Sequence, residues 1–262
     1  MLNSFQHLGD QEITLIKLAI MKSSTKKILL ALAISIAGIA IVLGVLAYYQ
    51  KQGLVHVFPD AEDRAIKRAL EIDESKFIPP QGMSQEAFQK KIQELRDQKK
   101  IVLKDTKSSP EWFTFGSIKE FLNDHEGAVL AWEIAYKIQQ YNFVTAMNLA
   151  NNYQYFIKDY PKAELYYNKV LELRPDFTSA YEGLMDLYRY NWKEKNSEYE
   201  ALVLRAIKKD SVNIAAYYIH LVEFFASEKT KNILKAKEYL SQIRKLKPEE
   251  ADRLLGEYPI LK

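Results

Sequence analysis

The sequence predicts an all-α protein in which a single N-terminal transmembrane helix precedes an α-solenoid of about four helix-turn-helix repeats. The first observation behind this prediction is an uncharged apolar run at residues 28–49. The second is a pattern of aromatic and small residues that returns from positions 112, 146, 181 and 217. The third is composition, because nine Gly and eight Pro residues are few in a chain of 262 residues that is rich in helix-forming side chains.

Residues 28–49 are long enough to cross a bilayer as one helix. Their 22 positions reach roughly 33 Å at about 1.5 Å per residue, against a hydrocarbon core of about 30 Å. Three lysines precede the run within six residues and only Lys51 follows closely, so we expect a cytoplasmic N-terminus and an extracytoplasmic remainder. The prediction is a signal anchor in a single-pass membrane protein. The alternative is a signal peptide cleaved after Ala47, which the length of the run disfavours.

Residues 1–27 are assigned to the cytoplasmic N-terminus. The first 20 residues are short and mixed, and Met21 opens the segment MKSSTKK directly before the apolar run. Because this is the ordinary layout of a signal anchor, we expect translation to begin at Met21.

Four copies of one pattern occupy residues 110–249. Their leading residues lie 34, 35 and 36 positions apart, and they are Trp112, Ala146, Tyr181 and Tyr217. Each leading residue is followed by apolar and small residues at helical spacing, and a second helix follows, with its own small residue in three of the four copies. Neither helix of a pair can bury its apolar side alone, so stacked pairs should share a continuous core, and four copies exceed the roughly three needed for stability.

The second copy carries the clearest form of the pattern. It contains Ala146-x-x-Leu149-Ala150-x-x-Tyr153, then Ala163-x-x-x-Tyr167 and Pro175. This resembles the tetratricopeptide repeat (TPR) family, of the membrane-anchored bacterial type, whose signature places the same residue classes over 34 residues. The third copy departs from the pattern, because Tyr199 stands where a small residue is expected.

Two segments flank the repeats. Residues 50–109 contain helical patterns at Asp60–Asp73 and Ser84–Lys100, which form either a helical linker or an atypical repeat packed on the solenoid. Residues 250–262 are predicted to form a capping helix, with Leu254 and Leu255 on its apolar side and Gly256 as the C-terminal cap.

The TPR resemblance implies a concave groove lined by the first helix of each pair, where a peptide or a partner helix binds. Side chains one and five positions after each leading residue, and others about a turn later, should face this groove. The candidates are Phe113, Ser117, Glu120, Met147, Asn151, Gln154, Glu182, Asp186, Arg189, Tyr218, Val222 and Phe225. A clamp for a C-terminal carboxylate, known in some members of the family, is disfavoured because Met147 stands where a lysine is needed.

Composition and motifs argue against chemistry at this surface. The chain has no Cys and a net charge of +3, which excludes thiolate sites and gives no basic stripe for nucleic acid. No phosphate-binding loop or catalytic motif occurs, and the four histidines lack ligand spacing. We therefore expect no enzyme activity, no catalytic or metal-binding residues, no cofactor and no small-molecule substrate.

The leading functional hypothesis is a membrane-anchored interaction scaffold or adaptor in the bacterial cell envelope, with an unidentified protein partner bound in the groove. The alternative is a structural subunit of a larger membrane complex, held there through its transmembrane helix.

Overall fold

A computed structural model of the chain describes residues 25, 27, 28, 32, 34–49, 51, 61–227 and 231–262. The chain divides into two compact units, Met1–Arg64 and Ala65–Lys262. The proposed start at Met21 and most of the predicted cytoplasmic N-terminus lie outside the described residues.

In the first unit, every described residue up to 51 is helical, and residues 34–49 are the longest described run, which we call helix α1. Within the described residues, no helix combines the length and the apolar character needed to cross a membrane. This finding corrects the prediction of a transmembrane helix over 28–49, and with it the single-pass membrane location and the extracytoplasmic placement of the repeats.

The second unit is helical along its described length. Two helices precede the repeats, α2 (Ala61–Ala69, which begins in the first unit) and α3 (Gln85–Lys104). The four predicted repeats correspond to four helical pairs: α4 (Ser109–Phe121) with α5 (His125–Ile138), α6 (Phe143–Asn152) with α7 (Tyr160–Leu173), α8 (Thr178–Asp186) with α9 (Tyr199–Lys209), and α10 (Ile214–Ala226) with α11 (Ile233–Leu246). Helix α12 (Pro248–Glu257) and a short 3₁₀ turn (Pro259–Leu261) end the chain. Each helix from α3 to α12 packs on the next one in the chain.

Side-chain caps fix where many of these helices begin. Ser84, Asp124 and Asp159 accept hydrogen bonds from backbone N–H groups three residues later, at 3.2, 3.0 and 3.2 Å. Asn142 and Asn232 cap α6 and α11 in the same way. These residue types satisfy backbone donors that the first helical turn leaves unpaired, so the local sequence sets where these five helices begin.

Small residues allow neighbouring helices to approach closely, both within a pair and between successive pairs. A Cβ atom added at Gly116 would lie 2.7 Å from the Trp132 ring, and one added at Gly183 would lie 2.4 Å from the Tyr167 ring. Both rings are buried, so they have no free space into which to move. The small and aromatic positions of the pattern are therefore steric partners across the helices.

The segment after α2 packs on the first repeat. One cluster of buried side chains joins α3 to α4 and α5, and it includes Phe88, Ile92, Leu95, Val102, Trp112 and Phe115. Below it, the buried Lys119 ammonium donates to the Glu71 carbonyl oxygen at 2.6 Å and to Asp124 Oδ2 at 2.7 Å. The structure thus has α3 as part of the stack, with a polar link from Lys119 back to the turn that follows α2.

A second polar link joins the third and fourth repeats. Asp210, which is 3% exposed, accepts hydrogen bonds from the Thr178 hydroxyl at 2.6 Å, the Tyr217 hydroxyl at 2.6 Å and the Asn213 amide at 2.9 Å. The unusual Tyr199 of the third copy is fully buried and stacks on Phe224, with ring centroids 4.3 Å apart. A large ring therefore fills the third copy where a small residue was expected.

The C-terminal helix covers the last pair. Leu254 is fully buried in the main core, and Leu255 packs against that core. Gly256 does not cap α12, because the helix continues through it to Glu257 and Tyr258 is the C-terminal cap.

Candidate functional site

The four groove residues predicted one position after each leading residue differ in their exposure to solvent. Phe113 and Met147 are half-buried and pack against the main core. Glu182 is exposed on α8. Tyr218 is half-buried, with its ring tilted against Tyr239 at a centroid separation of 6.0 Å. Of these four residues, Glu182 is the one most available to a ligand.

The residues predicted five positions after each leading residue also differ in their exposure to solvent. Ser117 donates to the Phe113 carbonyl oxygen at 2.9 Å, and Asn151 accepts a hydrogen bond from the Tyr167 hydroxyl at 2.8 Å. Asp186 is exposed, whereas Val222 is fully buried. Only the third copy presents a charged side chain to solvent here.

The last set of predicted residues is mostly occupied within the fold. Glu120 lies 2.9 Å from His125 Nδ1, and the buried Gln154 amide lies 2.6 Å from the Tyr167 hydroxyl. Phe225 is buried and stacks on Tyr239. Gln154, Val222 and Phe225 therefore serve as core residues in this structure.

Three predicted residues of α8 and the turn after it lie together at the surface. Arg189 pairs with Glu223 of α10 at 3.6 Å. Burial and the nearby Asp186 carboxylate raise the pKa of Tyr155. Although much of Asp186 is exposed, burial of its carboxyl raises its pKa, while His220, Arg189 and the Tyr155 hydroxyl act in the opposite direction.

An exposed row of aromatic side chains was not predicted. Phe121, Tyr155 and Tyr190 each lie nine residues after the leading residue of their copy, and they are 41%, 46% and 58% exposed. We call these three residues the aromatic row. Their spacing of 34 and 35 residues repeats the period of the leading positions. This spacing is the signal in the sequence that could have identified them.

Local backbone structure places two members of this row. Helices α6 and α8 each continue into a π-helical turn, Tyr153–Ile157 and Leu187–Asn191. Tyr155 and Tyr190 both lie within these turns. Because π turns are short, rare interruptions that often occur at functional sites, their recurrence in successive repeats marks this end of the first helices.

A cleft lies beside Tyr155. It has a volume of about 660 Å³ and is lined by residues of the turn before α5 and of the π turn after α6, with Lys76 at its edge. The His125 ring stacks on Phe156 at a centroid separation of 3.6 Å. The aromatic surface therefore extends from the first repeat into the second.

No metal centre is evident in the part of the chain that the structure describes, since no group of three or more His, Asp or Glu residues there is placed to hold an ion. The site presents aromatic and charged side chains, an arrangement suited to contact with another molecule.

The helical pairs of this chain are TPR-like. No family model matches the sequence, and no curated protein sequence matches it.

Solved structures similar to the chain are TPR-like helical proteins. YrrB, described as a TPR protein with an unusual peptide-binding site, is 14% identical, with 59% of this chain and 77% of that chain covered and a TM-score of 0.43. MamA is 11% identical, with 65% and 98% covered and a TM-score of 0.48. PilF of Pseudomonas aeruginosa is 15% identical, with 82% and 95% covered and a TM-score of 0.41. At these scores the likenesses carry no argument about the site.

Proposed function

We propose that the chain is a protein-interaction scaffold that binds a segment of a protein partner along the first helices of its repeats, across the aromatic row. The observation that carries this proposal is the exposure of Phe121, Tyr155 and Tyr190 at equivalent positions of three successive copies. Aromatic side chains supply much of the contact energy in protein interfaces, and a repeated row offers that contact at regular intervals.

The exposed rings set a scale for the affinity. Covering about 100 Å² on each ring at about 25 cal/mol per Å² contributes about 2.5 kcal/mol. Three rings together contribute about 7.5 kcal/mol, which is comparable to the lower range of the cost of association, about 4 to 15 kcal/mol. The row alone therefore supports weak binding, and a partner must also contact the flanking residues, among which Glu182 and Asp186 are exposed.

Fixed buried groups around the row favour a preformed site. Tyr167 is fully buried, and its hydroxyl is held by Asn151 at 2.8 Å and by Gln154 at 2.6 Å, and Gln154 belongs to the same π turn as Tyr155. A surface supported by such contacts loses little conformational entropy when a partner binds.

Site-specific photo-crosslinking tests this proposal. A photoreactive phenylalanine analogue at position 155 or 190 should crosslink one and the same partner protein in cells. Matched controls at Leu165 and Leu204, which are exposed on the second helices α7 and α9, should give no such product. Equal crosslinking from all four positions, or crosslinking from the second helices alone, would refute the proposed binding face.

A further inference from the structure

The residue seven positions after the leading residue links the second copy to the first. It is Tyr153, whose hydroxyl donates to Glu133 Oε1 of α5. The Lys162 ammonium donates to the same hydroxyl at 3.0 Å and lies 3.5 Å from the same carboxylate oxygen. A carboxylate on the second helix of one copy is thus bound by a tyrosine and a lysine of the next copy.

The third copy repeats this arrangement. The Tyr188 hydroxyl donates to Glu164 Oε1 of α7, and the Lys195 ammonium lies 3.4 Å from that oxygen. Burial, and next the hydrogen bond to the glutamate, raise the pKa of both Tyr153 and Tyr188, so both hydroxyls stay protonated and act as donors at neutral pH. We call Tyr153 with Glu133, and Tyr188 with Glu164, the tyrosine ties.

The tyrosine ties hold the backbone segments that carry two exposed rings of the aromatic row. Tyr153 and Tyr155 belong to one π turn, and Tyr188 and Tyr190 belong to the other. Both tie tyrosines are buried. Hydrogen bonds to an ionised carboxylate are roughly twice as strong as those between neutral groups. Each tie therefore anchors a π turn to the second helix of the preceding copy.

The first and fourth copies show the same correspondence between this position and the row. In the first copy the residue is Lys119, which donates to a carbonyl oxygen of the turn after α2, and the exposed Phe121 follows two residues later. In the fourth copy the residue is Phe224, whose side chain has no polar group, and Ala226 stands where the row would continue. The aromatic row therefore covers the copies with a polar side chain at this position and ends at the copy with an apolar one.

We propose that the tyrosine ties position the aromatic row for its partner, with Glu133 and Glu164 as positioning residues on the second helices. These glutamates act through the π turns, because the partner lies along the first helices. This inference rests on the proposed scaffold function and specifies how the binding site is held in shape. A turn without its tie populates positions other than the bound one, and the smaller competent fraction lowers the apparent affinity.

Hydrogen exchange of the full chain tests this inference without a partner. The variant Tyr153→Phe, Tyr188→Phe removes both hydroxyls and keeps both rings. Backbone amides of the two π turns should exchange at least about tenfold faster than in wild type, because each turn loses a hydrogen bond to a charged group. Amides of α4 and α11 should exchange as in wild type. The matched control Tyr239→Phe removes the corresponding hydrogen bond to Glu200 in the fourth copy and should leave both π turns unchanged.

The partner segment found by crosslinking provides the second measurement. Its Kd should rise about threefold or more for Tyr153→Phe, Tyr188→Phe and stay unchanged for Tyr239→Phe. The variant Glu133→Ala, Glu164→Ala should behave like the double phenylalanine variant in both assays. Glu133→Gln, Glu164→Gln should recover most of the loss, because its amide oxygens still accept hydrogen bonds from the tyrosines.

The outcomes separate the positioning role from the proposed function. Unchanged exchange in the π turns, or an unchanged Kd in the Tyr153→Phe, Tyr188→Phe variant, would overturn the positioning role. Equally faster exchange in α4 and α11 would also overturn it, since the ties would then support the whole fold. If Tyr155→Ala, Tyr190→Ala loses binding while the double phenylalanine variant keeps it, the proposed function stands without the positioning role. If neither double variant loses affinity, both are wrong.

Discussion

Replacement of Asp210 by Asn should destabilise the junction between the third and fourth repeats by about 2 kcal/mol at neutral pH. Burial would raise the pKa of Asp210, but hydrogen bonds from Asn213, Thr178 and Tyr217 together lower it from 3.8 to about 2. At about 1.36 kcal/mol per pKa unit, this difference corresponds to about 2 kcal/mol of folding free energy. An asparagine has one acceptor oxygen and no charge, so it cannot satisfy the same donors.

The sign of the pH dependence follows from the lowered pKa. The ionised carboxylate stabilises the folded chain fully above the unfolded pKa of 3.8, and this stabilisation is lost as the pH falls from about 4 to about 2. Urea unfolding of wild type and Asp210→Asn, followed by far-UV circular dichroism at several pH values, measures the effect. The stability gap between the two proteins should be constant from pH 7 to pH 5 and should shrink below pH 4.

A matched variant controls for the loss of a carboxylate as such. Asp176 is exposed and lies 3.7 Å from Arg174, so Asp176→Asn should change stability by less than about 0.5 kcal/mol. A gap for Asp210→Asn that stayed constant down to pH 2, or that was absent at pH 7, would refute the assigned hydrogen bonds.

Three further substitutions test the packing and the exposed site. Gly183→Ala should lower the free energy of unfolding, measured in urea, by about 1 to 3 kcal/mol, because the added Cβ would lie 2.4 Å from the buried Tyr167 ring. A variant as stable as wild type would show that helices α7 and α8 leave room for a methyl group at this position. Lys119→Met should lower the free energy of unfolding by about 3 kcal/mol or more, because it leaves the Asp124 carboxylate without its buried partner. Unchanged stability would contradict the pairing of Lys119 with Asp124. Tyr190→Ala should alter stability by less than about 0.5 kcal/mol, because the ring is exposed; a large loss would mean that the ring supports the fold.

Much of the repeat packing was accessible from the sequence, because it depends on short-range spacing and residue size. The Ala163 and Tyr167 step of the second copy predicted two buried residues on one face of α7, and both are fully buried. Ser84 predicted the start of α3, because serine hydroxyls commonly cap helices by accepting a hydrogen bond from a nearby backbone N–H group, as Ser84 does. Such features need only a few neighbouring residues.

The accessibility of the first-helix residues was harder to predict, because it depends on contacts distant in sequence. Position 186 in the third copy and position 222 in the fourth are equivalent in the pattern, yet Asp186 is exposed and Val222 is buried. In the same helix as Val222, Phe225 stacks on Tyr239 of α11, so apolar residues of the last repeat turn into the core. The π turns also change the register of the residues that follow them, which a fixed spacing does not anticipate.

The N-terminal prediction rested on hydropathy and length alone. A count of 22 uncharged residues satisfies the length rule for a membrane span, whereas no helix among the described residues has both the length and the apolar character that a span needs.

Binding of the crosslinked partner segment to the full chain tests the scaffold account most directly. The segment is synthesised as a peptide, and its Kd is measured with wild type, with Tyr155→Ala, Tyr190→Ala and with the matched control Leu165→Ala, Leu204→Ala. Loss of two exposed aromatic contacts should weaken binding by at least about tenfold, while the second-helix control should leave the Kd unchanged. Unaltered affinity in the tyrosine variant, or an equal loss in the leucine variant, would contradict binding of a partner across the aromatic row.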